Sequence, residues 1–407
     1  MKTKNRIDYK RYFWGIVLSF AITIIFLLAL EGLLRATHLF GAHITWAVPD
    51  PVLAWRMPPS QEQWSFEENL HPIRWRTNRF RWKDNEWTVE KPADTFRIAA
   101  LGDSFVEATQ VEPDRNFLAI LKQSLPELNG KKVEYMNFGR SGFSQAEEYL
   151  VLQNDIPMFS PDMLILFFYP VNDITDGGKE TALDPIRPYY YLSQKGELIL
   201  DQSFVDTKMF KIRSIMTWIK RHSALISFIS KRISVYRQQL KANKSFKDVS
   251  SQIYELTLKG YLSLCTQHPD PRYAANYQVI KRIIEEMAKF CRMRGIRMLL
   301  VTIDLPSYMP QIEKSFKAKD PTFDSLFFDK DMADLAKKIG IEHLGLQSVF
   351  TEAYRADNLA YHWQHWGFDG RQSHFEYGAH SGHWNYEGHK LVAKVLLEKI
   401  AAPPKKS

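Results

Sequence analysis

Apolar and polar positions settle into a regular alternation from Phe96 onward. Short apolar runs, Phe96–Leu101 and Met163–Tyr169 among them, suit strands of a parallel sheet buried on both faces. Between them, Phe117, Leu121 and Leu125 recur at helical spacing up to Asn129-Gly130, and Lys132–Phe138 predicts the second strand. Ser144 with Glu147 three residues on has the spacing of a capping box, so a helix is expected to start there. Further along, the pattern predicts a helix over Tyr277–Arg294, a strand over Arg297–Ile303, a helix near Asp331–Lys338 stopped by Gly340, and a short strand around Ile341–Leu346. Asn385 is a good N-cap for a last helix through Leu391, Val392, Val395 and Leu396. Strands and helices in this order predict one α/β domain over about 96–400, with a parallel sheet covered on both faces.

Two stretches depart from that rhythm. Tyr12–Leu30 carries no charge over nineteen residues. At about 1.5 Å per residue it spans roughly 28 Å, one bilayer core. Lys2, Lys4, Arg6, Lys10 and Arg11 precede it against Asp8 alone, so the positive-inside rule keeps residues 1–11 cytoplasmic. A single-pass anchor over 12–34 then places the rest in the periplasm or cell exterior. The rival is a cleaved signal peptide, but the run exceeds a usual h-region and no A-x-A site follows. Residues 35–95, rich in Trp, Pro and Arg, read as an irregular membrane-proximal segment. The second departure is an insertion at about 178–272. Pro188–Leu192 and Leu198–Leu200 flank Lys195-Gly196-Glu197 as a hairpin. Thr207–Lys247 then holds eleven Lys or Arg and no acid, interleaved with Ile212, Ile215, Trp218, Ile229 and other apolar residues. Such a stretch can lie on an anionic membrane or face an acidic glycan. A helical lid with a solvated polar face is the simpler reading, since it also accounts for the apolar side.

Composition narrows the class. A chain of 407 residues, 45% hydrophobic, is built for a packed core rather than disorder. A net charge of +8 permits an anionic partner without requiring nucleic acid, and none is expected. Cys265 and Cys291 have no zinc-ligand spacing, and read as either one disulfide or two inert thiols.

The candidate chemistry begins at Gly102-Asp103-Ser104-Phe105, where a serine follows a strand end, the usual place for reactive groups in open α/β sheets. A serine nucleophile needs a histidine base and donors for the oxyanion. Six of the twelve histidines lie between His362 and His389, in a loop feeding the last helix. Gly142 after the second strand and Asn172 after the third can supply oxyanion donors. A metal site in this histidine-rich tail is not expected, for want of a His-x-x-x-His helix or a carboxylate pair at ligand spacing.

Taken in order, Gly102–Phe105, Asn137–Gly142, Val171-Asn172-Asp173 and His383-Trp384-Asn385 with Gly388-His389 resemble the four blocks of the SGNH, or GDSL-type, hydrolase superfamily. The resemblance covers about residues 96–400 apart from the insertion. It implies a flavodoxin-like three-layer α/β/α sandwich and no cofactor. It implies Ser104 as nucleophile, His383 as base, and the Ser104 backbone, Gly142 and Asn172 as oxyanion hole. The chemistry it implies is ester hydrolysis or acyl transfer, often of acetyl on sugars. One position departs from the family: an aspartate two or three residues before the histidine is replaced by Ser381 or His380. Asp369 and Glu376 are the nearest upstream acids; otherwise a backbone carbonyl orients His383, or catalysis has decayed. Topology and resemblance together suggest a membrane-anchored serine esterase acting on O-acyl groups of a cell-envelope or exported glycan. The alternatives are an O-acetyltransferase fed by a partner membrane protein, and a non-catalytic polysaccharide-assembly or binding subunit.

Overall fold

The computed structural model describes residues 9–37, 47–65, 68, 73–243, 258–363 and 382–402. Helix α1 (Tyr9–Thr37) is long and apolar enough to cross a bilayer. Its side chains are exposed along most of its length, and only Leu34 is buried.

Residues expected to form an irregular segment instead contribute two antiparallel hairpins. These are β1 (Val48–Asp50) with β2 (Ala54–Arg56), and β3 (Glu62–Ser65) with β4 (Ile73–Arg76). Leu53, Trp82 and Trp87 belong to the same apolar core as the sheet. Buried Lys83 donates to the carbonyls of Glu107 and Ala108 at 2.8 and 2.5 Å, and Asp84 accepts from the Asn137 N–H at 2.8 Å. The reason is compositional: this stretch supplies large aromatics that fill the space beyond a sheet edge, which needs no periodicity.

The main sheet contains β5 (Thr95–Gly102), β7 (Lys131–Gly139), β8 (Met163–Phe168), β11 (Arg297–Thr302) and β12 (Glu342–Gly345), all parallel. A two-residue antiparallel strand, β6 (Glu127–Leu128), caps the edge at β7. The spatial order β12-β11-β8-β5-β7 is the doubly wound 2-1-3-4-5 arrangement of flavodoxin-like folds, as expected from the sequence. Chain direction across the sheet reverses at β5, so right-handed crossovers put helices on both faces. Accordingly α3 (Phe117–Ser124) packs on the last helix, α12 (Tyr386–Ala401), and α4 (Gln145–Asn154) packs on α8 (Pro271–Met293). Every residue of β8 is buried, which is why its sequence shows no alternation. The Ser144–Glu147 box is present, with the Ser144 N–H bonded to the Glu147 carboxylate at 3.1 Å.

The insertion forms the hairpin β9 (Tyr189–Leu192) and β10 (Leu198–Asp201), then α6 (Lys208–His222) and α7 (Ala224–Asn243). Short helices α2 (Ser104–Glu107) and α5 (Asn172–Asp176) follow the ends of β5 and β8. Three further helices, α9 (Pro310–Lys319), α10 (Phe327–Ile339) and α11 (Leu346–Asp357), follow β11 in the chain; α9 and α11 have no counterpart in the sequence reading. Cys265 and Cys291 are separate buried thiols, so the disulfide reading is not met.

Candidate active site

Ser104 opens α2 at the carboxyl end of β5, between β8 and β7, where Gly102 and Gly139 face each other across the ladder. A Cβ on Gly139 would stand 2.2 Å from the Glu107 nitrogen, and one on Gly102 would stand 2.5 Å from Val106 Cγ2. Only glycines let the short helix sit this close to the strand ends. The side chain of Asp103 caps it, accepting from the Phe105 N–H at 3.0 Å.

His383 arrives from the other end of the chain on a rigid support. Its carbonyl accepts from the Trp363 N–H at 2.8 Å, and the Gly382 N–H donates to the Trp363 carbonyl at 3.0 Å. Asn385 caps α12 by accepting from Glu387 and Gly388 N–H groups, both at 3.0 Å. Trp384 is fully buried against Phe105, Phe117, Phe167 and Phe350. Its indole N–H donates to Asp304 at 2.9 Å. The loop between a core tryptophan and a capped helix has little freedom left, and His383 rests with its ring 4.7 Å from that of Phe105.

His383 Nε2 lies 2.7 Å from Ser104 Oγ. Its Nδ1 lies 2.7 Å from a carboxylate oxygen of Glu68, and the other oxygen accepts from the His383 main-chain N–H at 2.7 Å. Glu68 therefore occupies the place of the missing aspartate. It sits in the connection between β3 and β4, 315 residues from the histidine, and only 7% of its side chain is exposed. A carboxylate at Nδ1 keeps the proton there and leaves Nε2 with a lone pair facing the serine hydroxyl. The upstream candidates Asp369 and Glu376 lie outside the described residues, as do His365, His374 and His380. No local motif marks Glu68: an acid in a hairpin connection meets no pattern, and only its position in space identifies it.

The oxyanion candidates converge less uniformly. Gly142 has φ +79°, a conformation that favours glycine, and Arg187 fixes its carbonyl with a 2.7 Å bond. Arg187 in turn pairs with the buried Glu147 and with Asp176. The N–H groups of Ser104 and Gly142 donate to no acceptor among the described residues. Asn172 Nδ2 donates to Asp103 at 2.9 Å and to the Phe143 carbonyl at 3.2 Å, while its Oδ1 is buried and unpartnered. Asn172 thus ties the serine turn to the glycine loop.

Beneath this layer lies a set of buried acids. Burial pushes the Asp103 carboxyl up to about 6 and outweighs its bonds from Phe105 and Asn172. Asp173 and Glu148 are held well above the ordinary carboxylate range, first by burial and then by neighbouring carboxylates. Of the remaining described histidines, His362 stacks on Tyr308, and His389 accepts from the Phe117 N–H at 3.3 Å. Burial drives His389 down to about 3, so it stays neutral. Neither lies in the serine–histidine–glutamate line.

No family model matches the sequence, and no curated protein matches it. Among solved structures, the chain is similar to an acetyl xylan esterase at 12% identity, covering 75% of this chain and 100% of that one, with a TM-score of 0.39. It is similar to a member of the lipolytic protein G-D-S-L family from Veillonella parvula at 12% identity, with 74% and 97% covered and a TM-score of 0.37. It is also similar to a catalytic mutant of an acetylxylan esterase from Geobacillus stearothermophilus at 12% identity, with 77% and 97% covered and a TM-score of 0.38. In the chain's own site, Ser104, His383 and Glu68 stand in one hydrogen-bonded line at the carboxyl end of β5.

Proposed function

We propose that the chain is a membrane-anchored serine ester hydrolase of SGNH type, with Ser104 as nucleophile, His383 as general base and Glu68 as the orienting acid. The observation that carries this reading is the unbroken relay Ser104 Oγ, His383 Nε2, His383 Nδ1, Glu68 carboxylate, with both contacts at 2.7 Å. A free serine hydroxyl is a poor nucleophile at neutral pH, and a tautomer-locked imidazole removes that obstacle.

In the first half-reaction His383 Nε2 takes the Ser104 proton as Oγ bonds to the carbonyl carbon of the ester. The developing oxyanion is held by the N–H groups of Ser104 and Gly142. Asn172 adds a third donor by exchanging its longer bond, to the Phe143 carbonyl, for the substrate oxygen. Glu68 stabilises the imidazolium without taking its proton. Nε2 then protonates the departing alcohol, leaving Ser104 acylated. Water activated by the same nitrogen releases the acid; an acceptor hydroxyl in its place gives acyl transfer.

With α1 as a span and the basic N-terminus inside, the domain faces the periplasm or cell exterior. The accessible esters there are O-acyl, above all acetyl, groups of a cell-envelope or exported glycan. The test uses the full-length protein in detergent with p-nitrophenyl acetate and a fluorophosphonate. Turnover and labelling that Ser104→Ala abolishes are expected. A wild type that neither turns over nor labels, or a Ser104→Ala variant as active as wild type, refutes the assignment. C-terminal reporter fusions check the topology, and reporter activity in the cytoplasm refutes it.

A further inference from the structure

The helices α6 and α7 are poor candidates for a lid, and their surroundings point elsewhere. Glu31, at the end of the apolar run of α1, accepts from the Ala224 and Leu225 N–H groups and from the Ser223 hydroxyl, all at 2.9 Å. It thereby caps the start of α7. One turn on, Arg35 donates to the His222 carbonyl at 2.6 Å, the last residue of α6. Helix α7 also packs along α1. The turn between α6 and α7 is therefore pinned to the level at which the candidate span ends.

Both helices carry apolar stripes that the described residues leave exposed. No residue of α6 is buried, and Ile215 and Trp218 are 60% and 61% exposed. On α7 the stripe continues at helical spacing through Ile229, Ile233 and Tyr236, each at least 45% exposed. A surface of this kind in water is an aggregation site unless something covers it. The charge says what covers it: eleven basic residues and no acid between Thr207 and Lys247, with Lys208, Lys211 and Arg221 exposed. Apolar stripes with flanking cations, and with Trp and Tyr among the apolar residues, fit the headgroup region of an anionic bilayer.

We infer that the α6–α7 hairpin is a second membrane contact, lying in the interface of the leaflet from which α1 emerges and selecting anionic phospholipid. The inference rests on the reading of α1 as a span and goes beyond it. The consequence is that the domain is held to the bilayer at two places rather than tethered by one helix.

The test uses full-length protein in vesicles. The two native cysteines are buried, so an introduced Ile215→Cys is selectively labelled with a polarity-sensitive fluorophore. Leu18→Cys reports the span and Lys195→Cys reports a site in water. Vesicles contain phosphatidylcholine alone or mixed with phosphatidylglycerol, with a quencher spin-labelled near the headgroup. At position 215 a blue-shifted emission is expected, with quenching at least about twofold stronger than at 195. Phosphatidylglycerol should strengthen it, and joint Lys208→Glu, Lys211→Glu and Arg221→Glu replacement should weaken it. A label at 215 as water-exposed as that at 195, while the label at 18 is in the bilayer, overturns the hairpin contact and leaves the span standing. A label at 18 in water overturns both. A shift at 215 that follows protein density instead of lipid composition assigns the surface to a second copy. One that appears only on adding an acidic polysaccharide assigns it to a glycan. Either result overturns the inference.

Discussion

Glu68→Gln is the sharpest single perturbation of the site, because it keeps the size of the side chain and removes only its charge and its exclusive role as acceptor. In the native arrangement one oxygen receives the His383 Nδ1 proton and the other the main-chain N–H, each at 2.7 Å. A glutamine must turn its oxygen toward one of these donors and its NH2 toward the other. If the main-chain N–H keeps the oxygen, the amide faces Nδ1 and drives the imidazole proton to Nε2, which then points at Ser104 and cannot accept from it. If the ring keeps the oxygen, the main-chain N–H of His383 meets a donor in a pocket where little solvent reaches. Two routes give the size of the loss. A charge pair about 4 Å apart at an effective dielectric of 20 contributes about 4 kcal/mol to the imidazolium, a factor of roughly a thousand. Exchanging the acid of a triad for its amide costs about ten-thousandfold in the serine-protease template. Glu68→Gln is therefore expected to lower kcat for p-nitrophenyl acetate by about 10³ to 10⁴. Fluorophosphonate labelling of Ser104 should slow in parallel, with an unchanged melting temperature excluding collapse of the fold. A folded Glu68→Gln enzyme within tenfold of wild-type kcat refutes the orienting role, and a backbone-oriented dyad would take its place.

Further outcomes follow from the surroundings of the site. The Asp103 carboxyl is pushed up to about 6 from its ordinary 3.8, so between those values the folded protein keeps a proton that the unfolded chain has lost. The stability it contributes is fully present below about 3.8 and is lost as pH rises through about 6, roughly 3 kcal/mol in all. Asp103→Asn should therefore gain on wild type between pH 4 and pH 7 in urea denaturation, and parallel stability curves refute this. Trp384→Ala empties a fully buried indole site and leaves Asp304 without its donor. It should cost about 3–5 kcal/mol and disturb His383, measured by denaturation and kcat. Burial pushes the Cys291 thiol up to about 12 and Cys265 well above its usual value. Native protein should give no reaction with a thiol reagent, and unfolded protein two thiols without any reductant.

What the sequence reveals of this molecule follows the range of the interactions. Elements set by local rules are readable. The buried strand at 163–168, the capping box at Ser144 and the N-cap at Asn385 each need only neighbours in the chain. A polar turn after a strand end marks Ser104, and the loop before the Asn385 N-cap marks His383, since the fold brings that loop over the strand ends. Glu68 answers to no such rule. Its function requires only that a carboxylate reach His383, and a hairpin placed by Trp75, Ile73 and Met57 accomplishes that from far away in the chain. The same holds for Arg187, which steadies Gly142 from the start of the insertion. Residues 47–95 look irregular because aromatic plugs and charged anchors need shape, not period.

The 315-residue interval between Glu68 and His383 also sets the moment at which the site becomes reactive. Glu68 leaves the ribosome early, Ser104 soon after, and the histidine comes near the very end. Until the last helix docks, the serine is an ordinary alcohol. In the proposed topology, with residues 1–11 inside, the whole interval crosses the membrane before the two ends meet. On that reading the hydroxyl becomes a nucleophile only after export is complete, and esters of the cytoplasm meet no armed enzyme.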